Sequence, residues 1–369
     1  MINILLFLSD FQLDNILWVV FLFNRGVPFL FIAFLEFLFY SFYAITKYLI
    51  FFQQTPSKIF LIISPILMLA AYIFIYLMNS YLLLILAFFL LAFSYYSYHD
   101  NLIARIPKPK KDESKEKKKV YHYEPIIFLS MILSNYFGGL FANLSWKIFV
   151  ISVITVKTII VPVSIIAFRY FSYSEKEFKK EKHEIETRSF VKIIKNSKVL
   201  KLFISKVLIL SIFEFAYIFV AFRLRTIFIS PYQIGLLYST EVIATIISFK
   251  YFYHFEALVG SYVGKVLTGI AFFSLSTLLF RNSFAPIALG FLFMSMAKNL
   301  NESLSTMNIL NSMRISDVPT YTSKEDFFVY LTGSLLMFVL ALIYTVFGSA
   351  AALYSILSFS LLYFALLIF

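Results

Sequence analysis

Apolar residues run through this sequence in long blocks, separated by short polar connections. Twelve blocks stand out, at roughly 2–23, 27–46, 59–78, 80–98, 125–144 and 148–168, then 202–222, 234–252, 259–279, 284–306, 327–347 and 349–369. Each is close to the ~20 residues an α-helix needs to cross a hydrocarbon core about 30 Å thick. Length favours helix over strand. A membrane β-barrel would alternate polar and apolar residues over segments of about ten, and no such alternation is present. The first block lacks a basic leader and a small-residue cleavage site, so it reads as a permanent helix and not as a signal peptide.

The pattern predicts an all-α membrane protein with twelve transmembrane helices. The polar interruption near 171–201 divides them six and six. This gives an N-terminal half (1–170), a central linker (171–201) and a C-terminal half (202–369), the layout of a parallel-repeat carrier.

Composition agrees. The chain is 61% hydrophobic and only 14% charged, against about 25% charged in soluble domains. The net charge of +12 from 32 Lys and Arg would fit a nucleic-acid binder, but its placement argues otherwise. The connections after blocks two, four, six, eight and ten hold most of the basic residues. Those on the other side hold only Arg25, Lys147, Arg223, Arg225 and Arg281, while Lys157, Lys206 and Lys298 fall inside blocks. Basic connections stay in the cytoplasm. Both termini are therefore expected to be cytoplasmic, in a multi-pass protein of the cell membrane. The positive charge then reflects topology and anionic lipid headgroups, with no nucleic-acid partner. Two connections are highly charged. KPKKDESKEKKK (Lys108–Lys119) reads as a solvated tether. The segment Ser174–Lys198 reads as a solvated stretch or a surface helix, with Phe190, Ile193 and Ile194 touching lipid. The outer connections are too short to hold a domain.

Three stretches carry a family resemblance. NRGVPFLFIAFLEFLFYSF (Asn24–Phe42) and RTIFISPYQIGLLYSTEVIATI (Arg225–Ile246) echo each other: a basic turn, a Pro, then Ile32-Ala33-Phe34-Leu35 or Ile234-Gly235-Leu236-Leu237. SNYFGGLFANLSWKIF (Ser134–Phe149) has a paired glycine and an aromatic-basic step. Together they resemble the seventh-to-eighth and the fifth helices of the major facilitator superfamily. The chain departs from that family in the loop after its second helix. There KYLIFFQQTPSKIF (Lys47–Phe60) lacks the family's glycines and acid and keeps only Lys58 at the basic end.

The resemblance implies that helices one, four, seven and ten line a central cavity. They hold many of the charges inside the blocks. Helix one carries Asp10 and Asp14. Helix four carries Tyr95, Tyr98 and His99, and helix seven carries Glu214 and Tyr217. Helix ten carries Lys298, Asn301, Glu302 and Ser305, spaced to share one face. Intramembrane acids are functional candidates by default. Asp10 and Asp14 lie about 6 Å apart along a helix if the first block is continuous, and two carboxylates that close resist double ionisation. They are proton-coupling candidates, with Glu36, Glu214 and Glu241. The alternative is that Asp10 hydrates at the cytoplasmic end and Asp14 pairs with a lysine. Glu36 and Glu241 can equally serve as hydrogen-bonding glue between helices. Tyr95, Tyr98, His99, Tyr217, Lys298, Asn301 and Glu302 are substrate-cavity candidates, although Lys298 and Glu302 are spaced to neutralise each other. Lys157 and Lys206 are expected to snorkel.

The expected function is secondary active transport of a small solute, polar or zwitterionic, coupled to protons, by a monomer within the lipid bilayer. A lipid-moving or non-transporting scaffold of the same fold is the alternative. Motifs of integral membrane enzymes are missing, since HEIET at His183 lacks the second histidine of a zinc site. Four histidines and no cysteine leave little to hold a metal, and no cofactor is expected.

Overall fold

The computed structural model describes residues 2–52, 59–77, 80–104, 124–171, 196–312 and 318–368. Those residues form helices and short turns, with no strand among them. The helices are α1 (Ile2–Asp10), α2 (Leu17–Asn24), α3 (Phe29–Phe52), α4 (Phe60–Leu77), α5 (Tyr81–Ala104), α6 (Glu124–Leu144) and α7 (Trp146–Phe171), followed by α8 (Ser197–Thr226), α9 (Pro231–Val259), α10 (Ser261–Ser276), α11 (Phe284–Asn311) and α12 (Val318–Ile368). Among the described residues, 9 helices are long and apolar enough to cross a membrane. The chain is a multi-pass membrane protein.

Local sequence sets the helix starts. Ser230 and Gln233 cap α9 reciprocally, with Pro231 in the first turn, where its missing N–H is no loss. Asn196 caps α8 by accepting from the backbone N–H of Lys198. The last two apolar blocks form one element, α12, with a non-helical point at Gly348 (φ +83°). Glycine tolerates that conformation and other residues resist it.

The first block departs from expectation. It is not one helix: α1 stops at Asp10 and α2 begins at Leu17. The intervening chain folds into a turn, with Gln12 N–H donating to Asp10 O (2.9 Å) and Asn15 N–H to Gln12 O (3.1 Å). A non-helical backbone within a membrane must be covered by protein. Here α6 covers it. The Leu13 carbonyl lies so close to Gly138 that a Cβ there would come within 1.8 Å, and Asn15 Nδ2 donates to Asn135 Oδ1 (2.9 Å). Consequently Asp10 and Asp14 do not share the face of a continuous helix.

Helices α1 to α7 pack mainly among themselves, as do α8 to α12. The two groups meet along α6 against α9 and α3 against α12. At the first seam Gly139 and Gly235 are back to back. A Cβ on Gly235 would stand 2.4 Å from Asn135 O and 2.9 Å from Gly139 Cα. Small residues allow such approach where lipid offers no hydrophobic drive. Ser239 Oγ adds a bond to Ile132 O (3.0 Å).

Candidate functional site

At the end of the bundle where α2 and α8 stop, the two groups are joined by aromatic rings. Phe23 meets Phe222 (4.9 Å between centroids), and Phe29 meets Phe222 (4.5 Å) and Tyr344 (5.6 Å). Phe219 also packs on Tyr344 (4.9 Å). Arg225 Nε donates to Asn24 Oδ1 (2.9 Å) across the same seam. Deeper in, Tyr40 of α3 stacks on Tyr330 of α12 (5.7 Å), and its hydroxyl donates to Glu214 Oε2 of α8 (2.9 Å).

From Glu214 a line of charge runs through the second group. Lys298 acts on Glu214 electrostatically, stands over the Phe213 ring (5.2 Å) and pairs with Glu302 (3.1 Å), as their spacing of four predicts. Glu302 is 3.9 Å from Lys206, which meets Glu325 at 2.6 Å. Lys206 also donates to Thr306 Oγ1 (3.1 Å). Lys206, Ile209, Leu210, Lys298, Asn301 and Glu302 come together along this line, with no open space the size of a water molecule between them. Glu36 is half-buried on α3 within electrostatic reach of Glu214.

The Lys206 expectation is corrected here. The residue is buried and does not snorkel, because Glu325 sits inside the bundle within direct reach. Lys265, within the block at 259–279, is likewise fully buried in α10 and donates to Ser205 Oγ (2.7 Å).

Other candidates make contacts between helices. The Asn301 amide donates to Lys265 O (3.0 Å), Thr268 Oγ1 (2.9 Å) and Tyr363 Oη (2.6 Å), tying α11 to α10 and α12. Glu241 accepts from Ser295 (2.5 Å) and Thr245 (3.1 Å), tying α9 to α11. Tyr217 packs on Tyr238 (4.8 Å), and its carbonyl accepts the Tyr238 hydroxyl. Tyr98 is bonded to Ser164 (2.6 Å), tying α5 to α7. The His99 side chain and the charged connections at 105–123 and 172–195, with Phe190, Ile193 and Ile194, lie outside the described residues.

A separate cluster surrounds the break between α1 and α2. Tyr95 Oη donates to Asp10 Oδ1 (3.0 Å). Tyr76 Oη donates to Asp14 Oδ2 (3.1 Å). Lys157 of α7 stands over the Tyr72 ring (4.9 Å). It is 1% exposed, so the snorkelling expectation fails for it as well: its stem points inward between α4 and the break. Its charge interacts with Asp14 first and Asp10 second. Lys157 is the residue that sequence reasoning undervalued. The signal available was its position near the middle of an apolar block.

No family model matches the chain, and no curated protein matches it. Solved structures do. The nucleoside transporter NupG superposes with a TM-score of 0.73 at 11% identity, covering 100% of this chain and 98% of that one. The fold is that of the major facilitator transporters. A bacterial homologue of the human lysosomal transporter Spinster, inward-facing and unoccupied, matches with a TM-score of 0.70 at 14% identity, covering 100% and 92%. A POT family transporter in complex with a thioalcohol-conjugated peptide gives 0.71 at 10%, covering 100% and 95%. The break lies between α1 and α2, and the charge line joins α8, α11 and α12.

Proposed function

We propose that this protein is a secondary transporter of a small polar solute, coupled to protons, which rocks one six-helix half (1–170) against the other (202–369) about a linker at 171–201. On this reading α1 and α2 make one broken crossing and α12 makes two around Gly348. The count is then twelve crossings with both termini in the cytoplasm, in the cell membrane. The resemblance to nucleoside, peptide and Spinster-type transporters supports transport as the general activity.

The observation that carries the reading is the hydrogen bond from Tyr40 to Glu214, made across the two halves at the head of a partly buried line of charge. A contact of this kind must break when the halves rock. It also ties the state of an intramembrane carboxyl to their relative position. The line from Glu214 to Glu325 holds three acids and two lysines, and Glu36 adds a fourth acid beside it. An excess of carboxyls drawn partly into the bundle is balanced by protons or by a cationic group on the solute.

The test is proton release from purified protein during a screen of candidate solutes, comparing wild type with Asp14→Asn and Glu214→Gln. A solute that displaces protons from wild type and fails to do so from a variant supports the reading. If no solute shifts proton binding and both variants keep wild-type stability, the carboxyls are structural. The scaffold or lipid-moving alternative then replaces this reading.

A further inference from the structure

Lys157 and Asp14 present an unusual arrangement. Both are more than nine-tenths buried, at 1% and 4% exposed. Lys157 Nζ and Asp14 Oδ1 each lack a hydrogen-bond partner. The two charges act on each other without forming a contact ion pair. Each is held in place by its own surroundings. The ammonium rests on the Tyr72 ring. The carboxylate is fixed by Tyr76 and by the turn that seats Leu13 against Gly138.

The groups facing this point come from every neighbouring element. Asp10 ends α1, Tyr72 and Tyr76 come from α4, Tyr95 from α5 and Lys157 from α7. The neighbouring α6 contributes the uncharged Asn135 and Ser130, the latter bonded to Phe7 O (2.7 Å). Asp14 and Lys157 face each other in low dielectric, where each ionised form is costly without the other. While Asp14 is ionised, the attraction of Lys157 pulls the turn toward α7. Once Asp14 takes a proton, the attraction is lost and a buried ammonium is left without its nearest counter-charge.

We infer that Lys157 is a positioning residue that ties proton uptake at Asp14 to loosening of the break between α1 and α2. The inference rests on the proton-coupled reading for its biological use, but its physical content is separate and can be tested without a solute.

The chain has no cysteine, so Gln12→Cys in the full-length protein places the only thiol in the break, at a half-buried position. Its rate of labelling by a charged maleimide is divided by that of Leu258→Cys, a site 86% exposed. The ratio removes the part of the pH dependence of thiolate fraction that the two thiols share. The expected result is an increase in the ratio of about threefold from about pH 8 to about pH 5.5, the range in which a perturbed buried carboxyl can titrate. Lys157→Gln should flatten the profile. Lys157→Arg, which keeps a fixed positive charge, should restore it. If Lys157→Gln does not fold, the neutral double variant Lys157→Gln/Asp14→Asn takes its place and should also be flat.

A flat wild-type profile overturns the inference, and so does a profile that Lys157→Gln leaves unchanged. If solutes release protons while the profile ignores Lys157, the carrier reading stands and this inference fails. If the profile depends on Lys157 while no solute releases protons, this inference stands and the carrier reading fails.

Discussion

Lys206 and Lys298 each touch a carboxylate, at 2.6 Å and 3.1 Å, whereas Lys157 touches none. In the second half, Lys206 and Lys298 meet carboxylates along α8, α11 and α12, while the buried Lys265 donates to Ser205 Oγ. In the first half, an ammonium and a carboxylate are held apart by aromatic rings and a turn. A contact pair is stabilised by its own geometry and resists change. A separated pair depends on the packing around it, so a small change in protonation or backbone position moves it. The comparison suggests one rigid charged spine and one yielding joint within the same fold.

The strongest way to test this contrast is to break the contact pair. Lys206→Met should destabilise the protein by about 3–5 kcal/mol, since removing one member of a buried pair strands the other. Glu325→Gln added to it should recover most of that loss. Thermal unfolding in detergent measures both. If Lys206→Met costs no more than Lys157→Met, the contrast is lost. Next in size is the seam that lets the halves meet. Gly235→Ala should cost about 1–3 kcal/mol by overpacking, because its Cβ meets backbone at 2.4 Å. Gly333→Ala, whose nearest neighbour is a side chain at 3.7 Å, should be close to neutral and serves as the control. Tyr40→Phe removes one interhalf hydrogen bond and should cost about 1 kcal/mol. It sharpens the comparison if proton release at Glu214 shifts while the Gln12→Cys profile stays unchanged. The smallest effect is expected at Arg225→Ala. Its bond to Asn24 is exposed, so stability should stay within about 0.5 kcal/mol of wild type.

Much of the fold could be read from the sequence. The apolar blocks locate the helices. The boundary drawn between the last two blocks falls at residue 348, where a glycine takes a left-handed conformation. The pairing of Lys298 with Glu302 follows from helical spacing alone, and the paired glycine at 138–139 does pack against close neighbours. The break in the first block was harder to see, because no proline or glycine marks it. Its signature is polar density: Ser9, Asp10, Gln12, Asp14 and Asn15 within seven residues. Such residues offer the backbone alternative partners, but they break a helix only where another helix can cover the gap. The lysines were misread for a related reason. Whether Lys157 or Lys206 reaches outward or inward depends on where Asp14 and Glu325 stand in three dimensions, and neither is near in sequence. Asn301 shows the same limit: periodicity placed it on the Lys298 face, while its amide is used up by α10 and α12.

The ring layer formed by Phe23, Phe29, Phe219, Phe222 and Tyr344 has an electrical consequence. A proton moves through a protein along hydrogen-bonding groups or water, and phenylalanine rings provide neither. The layer leaves few hydrogen-bonding groups, the Tyr344 hydroxyl among them, and a site closed to water prevents proton leakage. On the carrier reading, such a layer would act as insulation, slowing the drain of a gradient through the protein while the rings stay packed.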